Sequence, residues 1–239
     1  MIGALLLAAG SGNRMQGEVQ DKLLHPIGHT NAFTLTCQSF LKAKEIESLV
    51  IAFRNTDQLA KLKNCLEEVT SQLSAISRVD VKWVQGGKER QDSVLAGLQI
   101  FDDSVSHVLV HDCARPFIRT ETISLTAREV SNGKAIAVAR PLRDTLRQRL
   151  DRCPNPIQPG NTCTLDRAKY WVMETPQGAP KEWLQKGLEK SQEIGVHLTD
   201  EMAAIELLCH PVGMLEVDYP NPKITTPRDF SYAEFLLQL

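Results

Sequence analysis

Short apolar runs alternate with longer amphipathic segments along most of the chain. Five runs, at 2–8, 48–53, 79–84, 107–112 and 135–139, are rich in apolar and β-branched residues, which predicts buried strands. A sixth run, "MLEVDY", predicts a late strand at 214–219. Between the strands, apolar residues recur at intervals of three and four, which is typical of helices that bury one face. The predicted helices are 31–43, 56–73 (capped by Asn55 or Thr56), one beginning with "VLAGLQIF" after the loop "GGKERQDS", 120–130 capped by Thr120, about 181–194, 200–208, and a last one from Pro227.

Strands that alternate with helices predict one α/β domain over 1–239, built as a Rossmann-like, doubly wound, mostly parallel sheet. The stretch 140–166 departs from this pattern because it holds four prolines and many arginines. It is too long for an ordinary connection, so we expect it to be functional or to project as an intersubunit arm; a solvated hairpin is the alternative.

Composition narrows the class of protein. The 239 residues carry a net charge of −2, whereas a protein that coats nucleic acid is usually far more basic. The opening apolar run is too short for a secretory signal, and we expect no membrane contact. Six cysteines without a C-x-x-C pair indicate reduced thiols. We therefore expect a cytoplasmic protein, or one of the plastid stroma if a transit segment has been removed.

Candidate chemistry follows the strand ends, where open parallel sheets bind ligands. The loop after the first strand, Ala8-Ala9-Gly10-Ser11-Gly12-Asn13-Arg14, has glycines that allow backbone N–H groups to approach phosphate. It matches neither the Walker loop nor the dinucleotide fingerprint, and an ordinary tight turn is the alternative. Arg14 and Lys22 add cations beside it. Further loops hold Gly86-Gly87, Arg115 and Lys223.

Asp112 ends the predicted strand 107–112 and is a candidate ligand for Mg²⁺, which takes only one or two protein carboxylates. A turn or capping aspartate is the alternative. The chain has no G-x-S-x-G elbow and no H-E-x-x-H motif. A reaction that needs neither can use a nucleophile that is already charged, such as a phosphate monoester attacking an α-phosphate.

Seven segments occur in an order that resembles the 2-C-methyl-D-erythritol 4-phosphate cytidylyltransferase family of non-mevalonate isoprenoid synthesis. They are "AAGSGNRM…DK", "GGKERQDSVLAGL", "VLVHDCARP", "PLRDT", "LDRAKYWVMETPQ", "TDE" and "PKITTPRDF". The resemblance covers essentially the whole chain. It implies transfer of CMP from CTP to 2-C-methyl-D-erythritol 4-phosphate, release of pyrophosphate, use of Mg²⁺, and a homodimer interlocked by the arm at 140–166.

The resemblance also implies roles for particular residues. The triphosphate loop is Ala8, Ala9, Gly10, Ser11 and Gly12; cytosine is held by Gly86, Gly87 and Ser93. The catalytic cations are Arg14, Lys22, Arg167 and Lys223. Arg115, Thr145 and Thr175 help to bind the second substrate, and Asp112 holds the metal.

The sequence departs from the family pattern at a few positions, with Lys88 in place of Asp or Glu, Cys113 in place of alanine, and Pro222 beside Lys223. Two alternative functions stay open. One is a ribitol-5-phosphate cytidylyltransferase of the same fold, and the other is a nucleotide-binding protein without catalytic activity.

Overall fold

A computed structural model describes residues 1–10, 15, 19–73, 79–150 and 160–239. Within these residues seven strands form one sheet, in the order β11-β7-β10-β6-β1-β4-β5. Their bounds are β1 Ile2–Leu7, β4 Ser48–Phe53, β5 Asp80–Gln85, β6 His107–Asp112, β7 Ala135–Pro141, β10 Trp171–Pro180 and β11 Val212–Glu216. All pairs are parallel except those that β10 makes with β6 and β7. The mostly parallel α/β sheet predicted from the pattern is confirmed.

Helices cover both faces of this sheet. The bounds are α1 Ala32–Lys42, α2 Thr56–Gln72, α3 Arg90–Ile100, α4 Thr120–Ser131, α5 Lys181–Glu193, α6 Glu201–Leu207 and α7 Arg228–Leu236. On one face, side chains such as Phe33, Leu62 and Ile123 from α1, α2 and α4 form the larger apolar cluster. On the other face α3, α5 and α6 bury Leu98, Leu184 and Ile205. Helices α1 and α2 therefore bury the stripes that their three-and-four spacing predicted.

The strand order reverses between β1 and β6. The chain leaves β1 towards β4 and β5 on one side, and then returns to place β6 on the other side of β1. The register aligns Leu7 with Asp112, so both strands end at the same level. A crevice at such a reversal is where ligands bind in open α/β sheets. The fold thus brings the loop after β1 and the carboxylate that ends β6 to one place.

Three local expectations were wrong. Helix α3 begins at Arg90, inside the segment expected to be loop, because Asp92 accepts a hydrogen bond from the backbone N–H of Glu89 and so closes its first turn. Thr120 is the first helical residue and its hydroxyl donates to the carbonyl of Ser39 rather than capping the helix. The ten-residue strand β10 was not expected at all, although it lies between β6 and β7 in the sheet.

The stretch 140–166 leaves the sheet as a two-stranded ribbon. Strands β8 Arg147–Arg149 and β9 Thr162–Thr164 pair in antiparallel fashion, and 151–159 lie outside the described residues. Leu146 and Leu150 on this ribbon are exposed. We call residues 140–150 and 160–166 the arm. Two short strands, β2 Pro26–Ile27 and β3 Thr30–Asn31, form a further hairpin before α1.

Helices α5 and α6 touch at a glycine, which gives a test of the fold. A Cβ added at Gly187 would lie 2.3 Å from the backbone oxygen of Ala204. Although alanine is the better helix former, we expect Gly187→Ala to lower the free energy of unfolding by about 1–3 kcal/mol because backbone atoms must move apart. Denaturant unfolding measures this. The matched control is Glu189→Ala, exposed on the same helix, which should stay within about 0.5 kcal/mol of wild type; a more stable Gly187→Ala protein would contradict the packing.

Candidate active site

A cleft of about 510 Å³ opens at the carboxyl ends of β1, β5 and β6. It is lined by the loop after β1, by the start of α3 and by the segment before α7. Among the described residues the cations that line it are Lys22, Arg54, Lys88, Arg90 and Lys223, and the carboxylates are Glu89 and Asp112. This excess of positive charge suits a polyanion such as a nucleoside triphosphate.

Two loops approach closely to form one end of this cleft. A Cβ on Gly86 would lie 2.4 Å from the Cβ of Ala9 and 2.8 Å from Oγ of Ser93, so only glycine fits between them. The Ser93 hydroxyl accepts from the backbone N–H of Gly87 and donates to the carbonyl of Glu89. The structure thus joins the segments expected to hold base and triphosphate into a single wall.

Asp21 organises the loop after β1 from behind. Its carboxylate accepts from Nη2 of Arg54 at 2.9 Å and from the amide of Gln58 at 2.7 Å. These two side chains in turn donate to the carbonyls of Gly10 and Ala8. The carbonyls of Ala8 and Gly10 are therefore held by side chains at and just before the start of α2. Asp21 belongs to the "DK" pair noted in the sequence. Its partners Arg54 and Gln58 are more than 30 residues away along the chain, so the sequence pattern did not predict these contacts.

Asp112 lies at the floor of the cleft between two cations. Its Oδ1 accepts from Nε and Nη2 of Arg90 at 3.2 and 3.1 Å, and its Oδ2 accepts from Nζ of Lys223. Burial alone would raise the pKa of this carboxyl, but the charges of Arg90 and Lys223 outweigh it and hold the pKa well below its usual range. Asp112 is therefore an anion whenever the protein is folded near neutral pH.

Arg90 connects that carboxylate to a second, fully buried one. Its guanidinium also binds both carboxylate oxygens of Glu201, whose side chain is only 1% exposed. Glu201 begins α6, where its backbone N–H donates to the amide oxygen of Gln177. A single guanidinium thus ties α3, β6 and α6 together, with the bidentate geometry that arginine favours.

Thr175 does not line either cleft. Its hydroxyl oxygen accepts from the backbone N–H of Asp112 at 3.1 Å and lies 3.0 Å from Nδ1 of His111. Both side chains are buried. Burial lowers the pKa of His111 to about 4, so the ring is neutral near pH 7. Thr175 thus contacts the backbone of Asp112 and does not point into the cleft.

A second cleft of about 560 Å³ adjoins the first, and Lys223 lines both. Its cations, besides Lys223, are Arg115, Arg140 and Arg143. Glu174 is buried at its base, where it accepts from Nε of Arg140 and from the amide of Asn221. Because this second cleft is also net positive and shares Lys223 with the first cleft, it can hold a second anionic reactant.

The other residues expected in the site divide into three groups. Ala9, Gly10, Lys22, Gly87, Ser93, Asp112 and Lys223 line the first cleft, with Ala8 and Gly86 directly beside it, and Arg115 lines the second. Ser11, Gly12 and Arg14 lie outside the described residues. Thr145 and Arg167 are exposed in and just after the arm and line neither cleft; the guanidinium of Arg167 donates to the carbonyl of Arg143.

The donor set fits a hard cation with few protein ligands. Asp112 presents a carboxylate into the first cleft, and no group of three His, Cys, Asp or Glu side chains that could hold a metal occurs among the described residues. Mg²⁺ usually keeps waters and binds one or two carboxylates together with phosphate oxygens. Asp112 is therefore a described residue that could hold such a cation.

His111 is a functional candidate that sequence reasoning missed, and Arg90 was expected only as one of several cations in the loops that follow the strands. Both stand inside quoted segments, "GGKERQDSVLAGL" and "VLVHDCARP", and His111 directly precedes Asp112. For Arg90, the sequence signal was a cation directly after Glu89, which caps the helix α3 beside the cleft. For His111, the signal was a polar residue within an otherwise apolar strand.

Known proteins share this fold and this sequence pattern. A crystal structure of 4-diphosphocytidyl-2C-methyl-D-erythritol synthase from Anaerococcus prevotii superposes with a TM-score of 0.84 at 26% identity, over 100% of this chain and 96% of that one. The sequence profile of 2-C-methyl-D-erythritol 4-phosphate cytidylyltransferase matches residues 2–239. The chain belongs to the 2-C-methyl-D-erythritol 4-phosphate cytidylyltransferase family.

Relatives of that name span nearly the same length. The cytidylyltransferase of Prochlorococcus marinus (strain MIT 9313) is 35% identical over 235 residues, which is 98% of this chain and 97% of the relative. The chloroplastic cytidylyltransferase of Oryza sativa subsp. japonica is 30% identical over 236 residues, covering 99% of this chain and 74% of the relative. Cytidylyltransferases are nucleotidyltransferase enzymes, and the resemblance inferred from seven segments is confirmed.

The Arg90 bridge gives a test that needs no substrate. Arg90→Met should lower the free energy of unfolding at pH 7 by about 3–5 kcal/mol, because it leaves Glu201 charged, buried and unpaired. An unpaired buried carboxyl has its pKa raised in the folded state, so the folded variant binds more protons than the unfolded one. Its stability should therefore fall as pH rises from the ordinary glutamate value of 4.5 towards 7. Denaturant unfolding across this range measures both effects.

The matched variant is Arg90→Met combined with Glu201→Gln, which removes the unpaired charge. It should recover part of the stability and lose the added pH dependence. A single variant that is as stable as wild type, or one whose stability rises with pH over the same range, would show that Glu201 does not depend on Arg90.

Proposed function

We propose that this chain transfers CMP from CTP to 2-C-methyl-D-erythritol 4-phosphate and releases pyrophosphate. The observation that carries the proposal is Lys223, which lines both cationic clefts and pairs with Asp112 at their junction. A triphosphate in the first cleft and a phosphate monoester in the second would meet at this side chain. Membership of the family supplies the identities of the two reactants.

The chemistry needs alignment and charge rather than an activated side-chain nucleophile. An oxygen of the phosphate monoester is already anionic near neutral pH, and it attacks the α-phosphorus of CTP. The bond between that phosphorus and the bridging oxygen to the β-phosphate breaks, and pyrophosphate leaves. Charge that develops on the α-phosphate would be stabilised by Lys22 and Lys223, which line the first cleft. Arg14 is proposed as a further cation on the resemblance alone.

The cytosine base and the polyol phosphate have separate proposed contacts. Gly86, Gly87 and Ser93 lie at the end of the cleft formed with Ala9, and this narrow end is the proposed cytosine site. Arg115, on the second cleft, is the proposed contact for the polyol phosphate. The proposed role of Thr175 is to hold the backbone of Asp112 by a hydrogen bond, not to contact this substrate.

Mg²⁺ is the proposed cofactor, with Asp112 as its protein ligand. When bound, the cation would neutralise phosphate charge and orient the triphosphate. No helix in the described part of the chain is long and apolar enough to cross a membrane. The proposal includes a cytoplasmic or plastid-stromal location, for which the five described cysteines, all free thiols, are appropriate.

The first experiment measures pyrophosphate release from CTP in the presence of each polyol phosphate. We expect turnover with 2-C-methyl-D-erythritol 4-phosphate, and ATP or GTP should not replace CTP. Lys22→Ala should lower kcat about 10²–10³-fold, because a cation that meets developing charge acts mainly in the transition state. Lys134→Ala is the control and should be unchanged, because Lys134 is an exposed lysine between α4 and β7 that pairs with Glu129.

Other outcomes would redirect the assignment. Turnover with ribitol 5-phosphate alone would make the chain the other cytidylyltransferase, and no release with either substrate would favour a nucleotide-binding protein. If Lys22→Ala raises only KM, then Lys22 binds the ground state and its proposed role is wrong.

The arm suggests that each site is shared between two copies of the chain. Thr145 and Arg167 are exposed and line neither cleft of their own chain, whereas Lys223 lines both. Exposed Leu146 and Leu150 give the arm an apolar surface to cover. We therefore include a homodimer in the proposal, in which the arm of one copy brings Thr145 and Arg167 to the second cleft of the other.

Mixing two inactive variants tests this arrangement. Arg167→Ala and Lys223→Ala should each be inactive alone, while a heterodimer has one site with both native side chains. A statistical one-to-one mixture should then regain about one quarter of wild-type activity. Verified subunit exchange without recovery would mean that each site is built within one chain. A monomer in sedimentation at assay concentration would reject the dimer.

A further inference from the structure

The turn after β6 presents one side chain to each cleft. Asp112 faces the first cleft and Arg115 the second. Each of the four carbonyls from 112 to 115 has a hydrogen-bond partner, and for Arg115 this partner is the ring of His111. The other three carbonyls accept from the backbone N–H of Arg115, the hydroxyl of Thr36 and the backbone N–H of Ile224. The position of both side chains therefore depends on contacts made by the turn's own backbone.

His111 is placed to bond both ends of this turn. It is fully buried, with its ring tilted against Phe40 at a centroid distance of 5.0 Å. Its Nε2 lies 3.1 Å from the carbonyl oxygen of Arg115, and its Nδ1 lies 3.0 Å from the hydroxyl of Thr175. The Thr175 hydroxyl is in turn the acceptor for the backbone N–H of Asp112.

With the ring neutral, only one arrangement of hydrogens satisfies all three contacts. A carbonyl oxygen only accepts, so Nε2 of His111 must carry a hydrogen and donate to Arg115. The Thr175 oxygen accepts from Asp112, and its own hydrogen is then free to donate to an unprotonated Nδ1. A second hydrogen on Nδ1 would leave the buried hydroxyl hydrogen without this partner. The chain of bonds runs from Asp112 through Thr175 and His111 to Arg115.

We propose that His111 is a positioning residue for the cytidylyl transfer, which as the Nε2–H tautomer locks the turn that aims Asp112 and Arg115 into adjoining clefts. The inference rests on the proposed function, because that function gives each cleft its reactant. His111 itself does not line either cleft and touches no substrate there. Its effect passes through Thr175 to Asp112 and through the carbonyl to Arg115.

Two amides each keep one half of the imidazole's contacts. In His111→Asn the side-chain oxygen falls near the place of Nδ1 and can accept from Thr175, but nothing reaches Arg115. In His111→Gln the amide nitrogen falls near the place of Nε2 and can donate to Arg115, but Thr175 loses its acceptor. His111→Phe keeps the ring against Phe40 and removes both bonds. The three variants separate packing from each hydrogen bond.

The kinetic effects should separate accordingly. His111→Asn should chiefly raise KM for the polyol phosphate, because the backbone carbonyl of Arg115 loses its donor. His111→Gln should chiefly lower kcat, because the Thr175 hydroxyl that holds the backbone of Asp112 loses its acceptor. His111→Phe should do both and lower kcat/KM about 10–100-fold, since small misplacements of catalytic groups have effects of this size. Thr126→Val is the control, as it removes a buried hydrogen bond within α4 and should lower stability without changing kcat or KM.

A measurement on the wild-type protein does not depend on activity. The ¹⁵N spectrum of His111 at pH 7 should show a protonated Nε2 and an unprotonated Nδ1, and amide exchange at Arg115 should be faster in His111→Asn and His111→Phe than in wild type. A protonated Nδ1 would overturn the proposal, and so would three variants whose kinetic losses only follow their losses of stability. If wild type releases no pyrophosphate, the proposed function fails, while the tautomer and the exchange rates still decide the role of His111 in the turn.

Discussion

The site depends on one buried carboxylate that is held between two cations. Asp112 ends β6 inside the sheet's crevice, and an anion there is stable only because Arg90 and Lys223 neutralise it. Arg90 is committed on its other side to Glu201, which anchors α6. The bridge therefore couples the walls of the cleft to the sheet. Lys223 is the one of the two cations that also reaches the second cleft.

Much of this architecture could be predicted because its determinants are local. Strands such as β1 and β4 are nearly continuous apolar runs, and the carboxyl ends of the parallel strands are followed or marked by glycine or by a polar residue such as Asp112. Once the strands are parallel, their ends must meet at one edge, so Ala9, Gly86 and Asp112 were expected together without knowledge of strand order. The resemblance of the seven segments then supplied roles that spacing alone could not.

The remaining features depend on contacts between distant parts of the chain. Strand β10 is polar in sequence at Glu174, Thr175 and Gln177, and these side chains are buried only because they hydrogen-bond to partners from other elements. The sequence of β10 therefore has no alternation of apolar and polar residues that would predict a strand. Arg90 was expected in a loop without a particular role, because its two carboxylate partners lie 22 and 111 positions away along the chain.

Lys223 links the occupancy of the two clefts. Its ammonium group donates to Oδ2 of Asp112, while Oδ1 accepts from Arg90. If Lys223 turns to a phosphate, Oδ2 loses its counter-charge, and a partly buried carboxylate without one is costly. A divalent cation at Asp112 would remove that cost and bring its own affinity for phosphate oxygens. Binding of a cation at Asp112 and of a phosphate at Lys223 would therefore favour each other, which is the coupling that the proposed transfer between two anionic reactants needs.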